Sequence, residues 1–169
     1  MDSADLRAVQ APLKERYRAD ASAAMLTLRA DGELGGEGVS CSVQTGRALV
    51  QAGLHPFSGG DGTLACSGDM LLQALVACAG VTLRAVAVNL GLAVGGRVLA
   101  EGDLDFRGTM AVDREAPVGF REIRLSFELE SAASDEELET LLKLTERYCV
   151  VYQTLAAGVP VSVSHGVSS

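Results

Sequence analysis

Asp69-Met70-Leu71-Leu72-Gln73-Ala74-Leu75-Val76-Ala77-Cys78-Ala79-Gly80-Val81-Thr82-Leu83-Arg84-Ala85-Val86-Ala87-Val88-Asn89-Leu90 holds no proline and sets small or branched apolar residues on nearly every face of a helix. A helix apolar all round is expected to be buried all round. One helix of a 169-residue chain is seldom enclosed so fully. Ala74, Ala77, Cys78 and Gly80 would let another backbone approach closely, so the segment is expected to pack on the C-terminal helix or on a second copy of itself across a dimer twofold.

On the N-terminal side, residues 55–67 crowd Pro56, Ser58, Gly59, Gly60, Asp61, Gly62 and Thr63 together, which reads as a loop. Before it, residues 25–29, 39–43 and 48–50 form short alternating runs punctuated by Asp31-Gly32, Gly35-Gly36 and Gly46, a three-stranded meander. Leu6, Val9, Leu13 and Tyr17 recur at helical spacing, so residues 1–20 are predicted to be a helical extension and residues 21–169 one domain. On the C-terminal side, strands are predicted over 97–108 and 120–130. In the second, Ile123, Leu125, Phe127 and Leu129 alternate with Arg124, Ser126, Glu128 and Glu130. Ser134 with Glu137 is a capping box, and the helical region it opens runs to Gly158. Val159, Val161 and Val163 then alternate as a terminal strand. The order βββ-α-ββ-αα-β is an α+β arrangement.

Lys plus Arg number 14 and Asp plus Glu 22, a formal charge of −8 that argues against nucleic acid and anionic lipid as partners. Gln73, Thr82, Arg84 and Asn89 interrupt the central apolar stretch, which argues against a membrane span. Residues 1–20 carry eight charged side chains and no apolar secretory core, so a cytoplasmic location is expected. Cysteines in a reducing compartment are thiols by default.

Little other chemistry is encoded. Cys41, Cys66, Cys78 and Cys149 stand far apart and His55 and His165 are isolated, so no metal site is expected. Neither a nucleophile elbow nor a phosphate-binding glycine loop is present, and no cofactor is expected. Cys78 in the central helix and Cys149 at or near the start of a second helix remain. Either they are small core hydrophobes, or they are a redox pair in which one thiolate becomes a sulfenic acid and the other condenses with it. Sequence spacing does not choose between these. Cys41 alternates in phase with Val39 and Val43 as a core residue, and Cys66, in the loop, is an alternative second thiol.

Asp69 through Cys78 followed by Thr82-Leu83-Arg84, and later Glu146-Arg147-Tyr148-Cys149-Val150-Val151-Tyr152-Gln153-Thr154-Leu155, resembles the osmotically inducible protein C and organic hydroperoxide resistance (OsmC/Ohr) family. The resemblance extends over about residues 21–165. It implies an OsmC-like fold, an intertwined homodimer with the active site at the subunit interface, a peroxidatic cysteine at Cys78 and a resolving cysteine at Cys149. It also implies organic hydroperoxides as substrates and a dithiol reductant such as a lipoylated protein. Peroxidatic members activate the first thiol with an arginine from the loop before the central helix, held by a glutamate near the helix start. Here Gly68 stands at the glutamate position, with Asp69 the nearby carboxylate, and residues 54–59 contain no arginine. His55 and Arg47 are the nearest substitutes, with Arg84 and Arg147 as further cations.

A thiol-dependent peroxidase using Cys78, Cys149, Arg47, Asp69 and His55 is therefore the expected activity. A redox-silent protein that binds a small hydrophobic ligand at the dimer interface is the alternative, because a cysteine in an apolar helix without a cation has its pKa raised.

Overall fold

A computed structural model describes residues 32–34, 40–44, 49–109, 111 and 113–166, together with Ala4 and Ala19. The predicted helix over residues 1–20, apart from those two alanines, the strand over 25–29 and Arg47 lie outside the described residues. The fold is α+β. Strands β1 (Gly32–Leu34), β2 (Ser40–Gln44) and β3 (Leu49–Gly53) are successive antiparallel neighbours, and β4 (Ala65–Cys66) adds parallel to β3. Then come the central helix α1 (Ser67–Leu90), strand β5 (Val94–Leu104), the single turn α2 (Phe106–Thr109), strand β6 (Phe120–Ser131), and helices α3 (Asp135–Tyr148) and α4 (Val150–Ala157). β5 and β6 pair with each other as a separate antiparallel hairpin.

Several expected boundaries move. β1 lies on residues read from sequence as a turn, and the loop over 55–67 contains a 3-10 turn at Pro56–Ser58 as well as β4. The strand expected to begin after Gly95-Gly96 includes both glycines, because Gly96 adopts φ 114° where a Cβ would lie 2.0 Å from the Glu128 carbonyl oxygen. The pair therefore serves a close strand approach instead of a break. The far end of that strand stops at Leu104, and Phe106–Thr109 coils into α2.

The predicted alternation in β6 holds. Ile123, Leu125, Phe127 and Leu129 are half-buried, and Arg124, Ser126, Glu128 and Glu130 are exposed. Arg124 ties the exposed face together through Asp103, Glu122 at 3.1 Å and Glu101 at 3.7 Å, contacts that contribute little to stability when solvated. Under the hairpin lies the core: Leu83 and Ala87 of α1, Val94 of β5 and Leu141 of α3, with Phe127, Leu129, Leu138 and Leu142 packed around them. The capping box is present in full. Glu137 N–H donates to Ser134 Oγ, and Ser134 N–H donates to the Glu137 carboxylate at 2.8 Å.

One expectation is met in part and one fails. Within a single chain helix α1 packs on the C-terminal helices as expected, and Leu75, Ala79, Leu83 and Ala87, four residues apart, form one buried stripe. Ala74, Ala77 and Val81 lie exposed on the opposite side, with Val81 72 % exposed. The reason is geometric, since β5, α3 and α4 pack along only part of its circumference. The predicted terminal strand over 159–163 is unformed, with Val161 84 % and Val163 93 % exposed. Alternation confers strand propensity, but a strand also needs a neighbouring edge to accept its backbone hydrogen bonds, and this segment pairs with none of the described strands.

By length and mean hydropathy (1.9), α1 is apolar enough to cross a membrane, so the interrupting polar residues do not by themselves disqualify it. Its role as the helix on which β5, α3 and α4 pack is what makes it a core element here. Leu141→Ala should lower unfolding free energy by about 2–5 kcal/mol through cavity formation, and Ser134→Ala by about 1 kcal/mol through the lost cap, both measured by urea denaturation.

Candidate active site

Helix α3 ends and α4 begins at one residue, Cys149. Its backbone N–H donates to the Thr145 carbonyl at 2.9 Å, closing α3, and its carbonyl accepts the Gln153 N–H at 2.9 Å, opening α4. With φ −74° and ψ 109° it is extended, so the chain changes direction there. Its Sγ takes the N-cap position of α4 and accepts the Tyr152 N–H at 3.5 Å, the role more often filled by a Ser or Asp oxygen. Gln153 Nε2 spans the joint to the Glu146 carbonyl at 2.8 Å. Cys149 is 1 % exposed.

This joint faces the middle of α1. The Cys78 and Cys149 thiols act on each other's ionisation, so the two sulfurs, remote in sequence, are neighbours. The backbone amides of Val151 and Val150 in the first turn of α4, and the hydroxyl of Thr82, one turn along α1, also act on the Cys78 sulfur. Burial pushes the Cys78 thiol up, but the Val151 amide, the Cys149 thiol, the Val150 amide and the Thr82 hydroxyl together bring it below the ordinary thiol value. For Cys149, burial pushes the thiol up and the neighbouring Cys78 adds to it, and the Tyr152 and Val151 amides only partly offset them. The two thiols are therefore shifted in opposite directions, and Cys78 ionises more readily than Cys149. A helix N-terminus carries roughly half a positive charge, which is where a thiolate is stabilised.

The other expected residues lie elsewhere. His55 and Asp69 line two adjoining clefts of about 270 and 300 Å3 at the N-terminal end of α1, with Cys66, Gly68, Phe106 and Phe120 around them. There His55 Nδ1 accepts the Phe57 N–H at 3.1 Å, and its ring stacks on Phe106 at 5.3 Å. At 1.5 Å per helical residue, Asp69 stands about 14 Å and Cys66 about 18 Å along the axis from Cys78. Neither is brought to the dithiol, which removes Cys66 as a substitute partner for Cys78 within one chain. Gly68 faces the cleft too: a Cβ there would meet Phe120, Cys66 Sγ and Leu104 at 3.5–3.7 Å. Of Cys41 only the backbone is described, in register with Leu34 and Ala52. Arg84 donates from Nη1 to the Val94 carbonyl, and Arg147 lies over the Tyr148 ring at 5.8 Å. No cation among the described residues acts on the Cys78 sulfur.

Sequence reasoning missed the amides of Val150 and Val151 and the Thr82 hydroxyl. Amides have no sequence signature of their own. The available clue was Cys149 directly before a helical run, which places backbone N–H groups beside whatever packs on it.

Residues 60–164, more than half of the chain, match the family model for OsmC-like proteins. The chain belongs to the OsmC-like family. Solved structures agree in fold. An OsmC-like protein from Mycoplasma pneumoniae superimposes with a TM-score of 0.66 at 19 % identity, covering 79 % of this chain and 89 % of that one. An organic hydroperoxide resistance protein OsmC from Legionella pneumophila, described as a predicted redox protein and regulator of sulfide bond formation, gives 0.54 at 18 %, covering 78 % and 90 %. The organic hydroperoxide resistance protein OhrB of Bacillus subtilis gives 0.51 at 14 %, covering 79 % and 93 %. Among curated proteins nothing matches. At such identities the likeness speaks for the fold, and the chemistry must come from this OsmC-like chain's own residues.

In pH-dependent alkylation with iodoacetamide, read by peptide mass spectrometry, Cys78 should become reactive at lower pH than Cys149. The sign follows from the pair: stabilising a thiolate moves its onset of reactivity to lower pH. Val150→Pro tests the amide cradle, because proline is tolerated at the first helical position and Cys149 already has the extended conformation required before it. Loss of that N–H should shift the Cys78 onset to higher pH with the helical content kept.

Proposed function

We propose that this protein is a thiol-dependent peroxidase that reduces organic hydroperoxides, with Cys78 as the peroxidatic and Cys149 as the resolving cysteine. The observation that carries the reading is that the two thiols are neighbours, with the first turn of α4 beside Cys78. Membership of the OsmC-like family supports it, as do structural neighbours named for organic hydroperoxide resistance.

The chemistry follows from the cradle. A Cys78 thiolate attacks the terminal peroxide oxygen and becomes a sulfenic acid; Cys149 then attacks that sulfur, giving a disulfide and releasing water. A dithiol, such as the lipoyl group of a lipoylated protein, restores both thiols. Stabilisation by amides answers the absence of an arginine from the loop before α1. It also weighs against a redox-silent ligand binder, the reading that rested on an unactivated Cys78. His55, Asp69 and Arg47 are not assigned to the thiol chemistry in this proposal.

A cytoplasmic homodimer is part of the same reading. The exposed stripe of Ala74, Ala77 and Val81 on α1, and the exposed valines after Gly158, are the apolar surfaces that a second copy would cover. Truncation after Gly158 should then weaken self-association in sedimentation equilibrium, and an unchanged association constant would remove the tail from the interface.

Reduced protein treated with one equivalent of cumene hydroperoxide should yield a Cys78–Cys149 disulfide by peptide mapping, reversed by dithiothreitol. Persistence of both thiols, or a disulfide through Cys66, would overturn the mechanism.

A further inference from the structure

A buried sulfur reacts only when something moves. Cys149 is 1 % exposed, yet alkylation and thiol–disulfide exchange both require the reacting partner to touch the sulfur. The element lying on it is α4, whose first turn carries the Tyr152 N–H that donates to Cys149 Sγ at 3.5 Å. That helix is short and weakly held. It has eight residues, none of them buried, with Val150 70 % and Leu155 36 % exposed. Segments with so little buried surface open at a free-energy cost below that of global unfolding.

Both ends of α4 carry a change of backbone direction. At its start Cys149 is extended, and at its end Gly158 has φ 62° and ψ 125°, outside the helical region. A rod between two such hinges can turn whether or not the residues after Gly158 are held by a second copy. Among the described residues, one side-chain hydrogen bond links α4 back to α3: Gln153 Nε2 donates to the Glu146 carbonyl at 2.8 Å. In an unbroken helix that carbonyl would accept the Val150 N–H. The chain turns at Cys149 instead, the carbonyl is left over, and Gln153 supplies the missing donor. Because the bond is exposed, it contributes little net stability and breaks easily.

We infer that α4 is a gate over Cys149, hinged at the α3–α4 joint and at Gly158 and latched by the Gln153 side chain on the Glu146 carbonyl. The structure holds the closed state. An external thiol or dithiol reaches the Cys149 sulfur only with α4 lifted, so Gln153 is a positioning residue that sets how often the sulfur is accessible. The gate goes beyond the peroxidase reading and does not depend on it, since it concerns access to Cys149 whatever the sulfur reacts with.

The test uses the reduced full-length protein with no peroxide present. Iodoacetamide is added at pH 8, and the modification of Cys149 is timed by peptide mass spectrometry. Two variants are matched in kind: Gln153→Ala loses the bond across the joint, and Ser134→Ala loses the cap at the far end of α3. Each removes a hydrogen bond from the folded state, but only the first of these bonds breaks when α4 lifts. Gln153→Ala should therefore raise the Cys149 rate about fivefold, the scale of one net hydrogen bond, and Ser134→Ala should leave it unchanged. Hydrogen exchange at the Tyr152 amide, which does not depend on thiol ionisation, should rise by the same factor in Gln153→Ala and not in Ser134→Ala. Gln153→Glu, similar in shape but without the donor, should match Gln153→Ala in exchange and keeps the test open should the alanine variant fail to fold. Equal acceleration by the Gln153 and Ser134 changes would mean that Cys149 is reached only through global unfolding, which overturns the gate. Rates unchanged in both Gln153 variants overturn the latch. Neither outcome bears on the disulfide expected with cumene hydroperoxide, and a failure of that experiment leaves the gate standing.

Discussion

Between Thr145 and Gln153 the backbone closes one helix and opens another around a single residue, and that change of direction underlies the arrangement of the site. Had α3 continued straight through Cys149, the amides of Val150 and Val151 would have been consumed by carbonyls one turn back. Because Cys149 is extended, those amides begin a new helix and are free of intrahelical partners. The dithiol lies beside them. Thr145, 1 % exposed with its hydroxyl returned to the Leu141 carbonyl, anchors the joint from behind.

The electrostatic consequence is a division of labour between two chemically identical side chains. Both thiols are subject to burial, which disfavours the charged form. At Cys78 the donors outweigh burial, and at Cys149 they do not. One pKa unit corresponds to about 1.36 kcal/mol and a tenfold change in the ionised fraction at a fixed pH well below the pKa, so modest differences in donor geometry suffice to separate the roles. A cradle of neutral amides also avoids placing a cation in an apolar interior, where its own desolvation would oppose the arrangement.

The helix of residues 69–90, the alternation in β6 and the capping box at Ser134 could be read from sequence because each is a local pattern imposed by the geometry of one element. Cys78 and Cys149 could be singled out as candidates because few other reactive groups were available. The strand after Gly158 was misjudged because pairing depends on what lies alongside, and alternation only states what a segment could accept. His55 and Asp69 became candidates through the resemblance, which places the activating groups in the loop before α1 and at its start; within one chain a helix rising about 1.5 Å per residue carries Cys78 away from that end.

The amino-acid order by itself determined the α+β class, the central helix, the amphipathic hairpin strand and the two thiols that could carry chemistry, since periodicity and residue type are properties of the chain. Only the tertiary structure decided that those thiols are neighbours, that the first amides of α4 lie beside them, and which of the two ionises more readily. Hydrogen bonding and burial are relations between segments far apart in sequence, and they come into being when α4 turns its first amides toward the middle of α1.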